Sequence, residues 1–82
     1  MEKIKFKDYV KQIRKNSGHA EWVITEVMTS AAAVLRENLD DGKATTVFKG
    51  MIIEPHTINN GKVTYARARF GTFFKDLNSA IL

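Results

Sequence analysis

Val63-Thr64-Tyr65-Ala66-Arg67-Ala68-Arg69-Phe70-Gly71 alternates with a period of two, and that alternation decides the fold class. Successive Cβ atoms of a strand point to opposite faces. Thr64, Ala66, Ala68 and Phe70 therefore share one side, and Val63, Tyr65, Arg67 and Arg69 share the other. Two arginines and a tyrosine on one face are poor core material. They suit a phosphate backbone, because each guanidinium offers a planar fork of donors, keeps its charge at any working pH and here has an aromatic surface beside it. The same face also reads as a solvated strand surface whose charge serves solubility.

Working back from this strand (63–70), Asn59-Asn60-Gly61 is a tight-turn signal between two extended runs. Met51–Ile58 reads as a second strand, Gly50 as a bend or bulge, and 44–49 as a short first strand. Pro55 has no N–H to give to a ladder, so its position is expected at an edge or a bulge. Beyond Gly71, Thr72 is suited to cap a closing helix over 72–81 with Phe73, Phe74, Leu77, Ala80 and Ile81 on its apolar face.

Before residue 44 the period is helical. Phe6, Tyr9, Val10 and Ile13 mark an amphipathic helix over 3–16 with lysines on the opposite side. Asn16-Ser17-Gly18 closes it, with Ser17 or Gly18 expected to cap a second helix over 19–39, and Glu21 then sits in a first turn that favours negative charge. Asp40-Asp41-Gly42 ends that helix, Gly42 being suited to a left-handed position. The second helix carries Trp22, Val23, Ile24, Val27, Met28, Ala31, Ala32, Ala33, Val34, Leu35 and Leu39, more than one stripe, and so must be covered on more than one side. One amphipathic helix and a small sheet are too little to cover it. A homodimer built on this helix is the expectation, with Trp22, Ile24, Val27, Met28, Ala31, Ala32, Leu35 and Phe70 at the interface and Ser30–Ala33 allowing close backbone approach. The order α-α-β-β-β-α in one domain, 1–82, predicts an α+β fold with a three-stranded antiparallel sheet per subunit.

Composition narrows the function. The 82 residues include no cysteine, which removes disulfides and any Cys-ligated zinc site, and leaves a small core to be supported by tight packing or a second subunit. His19 and His56 are the only histidines and lie in no metal-ligand spacing, and no glycine-rich phosphate loop is present. No catalytic residue, metal, cofactor or small-molecule substrate is therefore expected. Nothing approaches the ~20 apolar residues of a membrane span, and the lysine-rich start lacks a signal peptide's apolar run. No membrane partner and a cytoplasmic location are expected. The net charge of +4 is segregated. Residues 1–18 carry six basic groups against Glu2 and Asp8, residues 19–42 carry Arg36 against five acidic groups, and residues 43–82 carry six basic groups against Glu54 and Asp76, giving +4, −4 and +4. Two basic regions flanking an acidic helix point to a polyanion partner on one side of the molecule.

The element order, the small-residue second helix and the basic third strand together resemble the bacterial histone-like HU and integration host factor (IHF) family. The motifs that carry the likeness are Glu37-Asn38-Leu39-Asp40-Asp41-Gly42-Lys43-Ala44 at the end of the second helix, Gly61-Lys62 entering the third strand, and Phe74-Lys75-Asp76 in the closing helix. The resemblance covers nearly the whole chain and implies an IHF-like intertwined dimer that binds double-stranded DNA across a saddle of paired sheets, as a nucleoid-associated protein. In that family, long ribbon arms end in a proline that wedges between base steps. Here only Asn59-Asn60-Gly61-Lys62 joins the second and third strands, and Pro55 does not match the wedging proline, so the arm does not carry over. On a saddle, the contacts to DNA are expected from Lys49, Lys62, Tyr65, Arg67, Arg69 and Lys75, with Lys3, Lys5 and Lys7 either extending the footprint or lying on a solvated helix face. Two other readings remain. One is a protein-interaction module that forms homo- or heterodimers with HU-like relatives. The other is a single-strand nucleic-acid binder stacking on Tyr65.

Overall fold

The structure, a computed structural model, describes residues 1–71 and residue 73. It is α+β: two helices precede a three-stranded antiparallel sheet of order β1-β2-β3, formed by α1 (Phe6–Ser17), α2 (Glu21–Asp40), β1 (Thr45–Phe48), β2 (Met51–Ile58) and β3 (Val63–Phe70). The closing helix expected over 72–81, and Lys75 within it, lie outside the described residues. The chain divides into two compact units, Met1–Ala33 and Val34–Leu82.

In the first unit, α1 starts three residues later than its periodicity suggests. Lys5 is extended and offers no side-chain cap, so Lys3 and Lys5 precede the helix, whereas Lys7 lies on it. Asp8 in the first turn and Arg14 and Lys15 in the last complement the helix dipole. Gly18, at φ 81°, takes the left-handed position and donates its N–H to the Arg14 carbonyl at 2.8 Å. That geometry corrects the expected cap. Ser17 is the last residue of α1, its Oγ accepting from the His19 N–H at 3.3 Å, and the Ala20 carbonyl receives the Val23 and Ile24 N–H groups that open α2. The buried side chains among the described residues are Val10, from α1, and Ile24, from α2. Ile24, 6% exposed, thus belongs to the chain's own core and is not available to a second subunit.

In the second unit, α2 ends in a paired hydrogen-bond closure. The Lys43 N–H reaches the Asn38 carbonyl at 2.8 Å and the Gly42 N–H reaches Leu39 at 3.0 Å, with Gly42 at φ 75° as the sequence requires. β1 is four residues long and pairs Thr45 with Ile53, Thr46 with Ile52 and, after a bulge, Phe48 with Met51. Ala44 and Lys49, expected inside this strand, fall outside it. β2 and β3 pair along their whole length, from Met51 opposite Phe70 to Ile58 opposite Val63. The turn between them holds Asn59, Asn60 and Gly61 at φ 54°, 55° and 89°, a left-handed run that asparagine and glycine tolerate best. Pro55 stands in the central strand but beyond the stretch that β1 pairs, so β2 is locally an edge there and the missing N–H forfeits no bond to β1. At the other end of the hairpin, Gly71 donates to the Gly50 carbonyl, and a Cβ at Gly71 would stand 3.2 Å from that oxygen.

The last turns of α2 lie toward one face of the hairpin. Arg36, Leu39 and Asp40 line a shallow cleft with Pro55, Thr64, Tyr65 and Ala66, and Arg36 clasps Asp40 one turn on at 3.0 Å. By alternation, Arg67 and Arg69 are turned the other way, while Tyr65, on the same side of the strand, also borders the cleft. No helix among the described residues is long and apolar enough to cross a membrane.

Candidate nucleic-acid interface

The open face of the β2–β3 hairpin is built by register. Tyr65, Arg67 and Arg69 alternate along β3, and opposite them on β2 stand His56, Glu54 and Ile52. Val63 and Ile58 complete the row at the turn end, 44% and 46% exposed. Every β3 residue before Phe70 is exposed, so the arginines are presented as their spacing suggests. Phe70, assigned to a dimer interface from sequence, is half-buried on the opposite face.

The two guanidiniums are not equivalent. Arg69 Nε lies 3.1 Å from Glu54 Oε1, the arginine side chain being 60% exposed and the glutamate 23%. Arg67 faces Glu54 directly in register, yet its Nη1 lies 3.3 Å from His56 Nε2. The arginine donates there, so the contact needs the tautomer with a lone pair on Nε2. His56 in turn is the cross-strand neighbour of Tyr65, their ring centroids 5.6 Å apart and tilted by 32°. Thr57 and Thr64, on the α2 side, bring their hydroxyls to 3.4 Å.

Glu54 and His56 are the site residues that strand-by-strand reading missed. Neither is conspicuous in its own segment, Met51-Ile52-Ile53-Glu54-Pro55-His56-Thr57-Ile58. Their signal lies in the turn: with Ile58 paired to Val63 across it, counting back along both strands puts Glu54 opposite Arg67. The consequence is electrostatic. The middle of the face holds two guanidiniums against one carboxylate, less positive than the arginine strand read alone.

Lys49 and Lys62 are exposed and stand at opposite ends of the hairpin, Lys49 in the β1–β2 turn and Lys62 in the β2–β3 turn. Seven residue steps at about 3.4 Å put roughly 24 Å between the ends, the axial span of about seven phosphates on one DNA strand. The described residues contain no group of His, Cys, Asp and Glu able to hold a metal ion. The positions assigned from sequence to a dimer interface are distributed unevenly. Trp22 and Val27 are 71% and 61% exposed, Ala31 and Ala32 are exposed, and Met28 and Leu35 are half-buried. Comparison with protein-family models, curated proteins and solved structures found no match to this chain.

Proposed function

We propose that this protein is a non-catalytic DNA-binding protein of the HU/IHF-like architectural kind, which works as a dimer and lays the open face of its β2–β3 hairpin along a duplex backbone. The observation that carries the reading is the exposed row Tyr65, Arg67 and Arg69 on one face, continued by Lys62 and Lys49 at its two ends. Guanidiniums at alternate positions stand about 7 Å apart, a spacing matched to neighbouring phosphates. The four-residue turn at 59–62 is too short to reach around a duplex, so binding is to the backbone, with little sequence preference and little bending. Salt is the diagnostic: each phosphate neutralised contributes about 0.9 to the slope of log affinity against log salt.

The test is a titration of a short fluorescent duplex from low to moderate salt. Wild type is expected to bind with a steep salt dependence, and the double variant Arg67→Ala/Arg69→Ala to lose most of it. Absence of duplex binding at low salt sinks the proposal. A second reading, single-strand binding, is favoured by the exposed Tyr65 ring beside half-buried His56, which offers a base a stacking surface. It is chosen if a single strand of equal length binds tighter than the duplex and Tyr65→Ala abolishes the difference.

A further inference from the structure

We propose that Glu54 limits the affinity of this face: its carboxylate competes with phosphate for Arg69, so that the protein grips a polyanion less tightly than its arginines allow. The inference rests on the duplex-binding reading of the same face. Glu54 lies in the middle of it, directly opposite Arg67 and ion-paired to Arg69, with its side chain 23% exposed beneath an arginine that is 60% exposed. A phosphate that takes Arg69 must lift the guanidinium off that carboxylate. It then meets the uncovered negative charge a few ångströms away. The exchange therefore trades one charge-assisted contact for another and adds a repulsion. The β1 pairing with β2 stops at Ile53, one residue short of Glu54. Arg67 is held differently, against a histidine nitrogen, and surrenders no ion pair to a phosphate.

Neutralising Glu54 is expected to convert Arg69 into a full phosphate contact. The measurement is duplex binding by wild type and Glu54→Gln across a salt series, with a single strand of the same length as comparison. The variant should bind roughly five- to tenfold tighter at about 0.1 M salt, with a slope steeper by about 0.9 for each subunit engaged. Arg69→Ala should then cost more affinity in the Glu54→Gln background than in wild type, a coupling that a merely structural glutamate would not produce. Glu54→Thr, neutral and well suited to a strand, repeats the test should the glutamine variant fold poorly. If wild type binds duplex and both neutral variants bind with unchanged affinity and slope, the role of Glu54 is overturned while the duplex reading stands. If neither wild type nor the variants bind at low salt, both fall.

Discussion

Arg67 and Arg69 occupy equivalent places in the alternation of β3, but their neighbours divide them. Arg69 is committed to the Glu54 carboxylate, whereas Arg67 leans on the His56 ring nitrogen, a weaker competitor for a guanidinium than an anion. Phosphate binding should therefore draw mainly on Arg67. In a salt-dependent anisotropy titration, Arg67→Ala is expected to flatten the slope by about 0.9 per subunit, and Arg69→Ala by less than half as much. Equal losses would contradict the division of labour. The exposed face itself was legible from residues 63–70, because a strand's period admits only two sides. Glu54 and His56 were not, because what they oppose is a property of two segments paired in one register. That register became readable only once the four residues of the β2–β3 turn were taken as the fixed point.

Elements were legible where their ends are written in side-chain or glycine chemistry. Gly18, Gly42 and the Asn59-Asn60-Gly61 run each take the left-handed conformations that their residue types allow, and α1, α2 and β2 end where these residues put the stop. The beginnings of the helices were misplaced for the complementary reason. Lys5 makes no side-chain cap and Ala20 has no side chain able to make one, so no cap marks Phe6 or Glu21 as the first residue of its helix, although Glu21 does fall in the first turn, as its charge suggests. β1 came out shorter than expected because its pairing with β2 runs only from Thr45 to Phe48, and Thr45 holds a second irregularity. The Thr45 hydroxyl is buried without a hydrogen-bond partner among the described residues. An unmade hydrogen bond of this kind costs about 1–3 kcal/mol, and valine of nearly the same shape has the higher strand propensity. Thr45→Val is accordingly expected to stabilise the fold by about 1 kcal/mol, seen as a rise in Tm of roughly 4–8 °C for a chain of this size. A fall in Tm would mean that the hydroxyl has a partner in solution, water or protein, that the geometry does not provide.

For the molecule as a whole, the imbalance lies between what is apolar and what is covered. Val10 and Ile24 are buried, while Trp22 and Val27 in the first unit and Val34 in the second stand 71%, 61% and 54% exposed along α2. Full burial of such side chains is worth about 1.5–3 kcal/mol each, and a small domain's entire stability is only about 5–15 kcal/mol. Covering these three residues with the alanines between them would therefore supply a large share of the free energy that holds the fold. If a second copy provides that cover, folding and association are one equilibrium. Tm must then rise with protein concentration, since mass action stabilises whichever state the partner binds. Ala32 is exposed between these residues, and glutamate there would place a charge in the proposed interface. Ala32→Glu is expected to lose dimer and helical signal together, by sedimentation and circular dichroism, whereas Glu37→Gln, a neutral change at another exposed position of α2, should leave both intact. A variant that sediments as a folded monomer, or a wild type whose Tm is unmoved by a hundredfold change in concentration, would show that α2 needs no second copy to hold the fold. The hairpin would then have to bind as a single copy, with half the phosphate contacts and about half the salt slope of a doubled face.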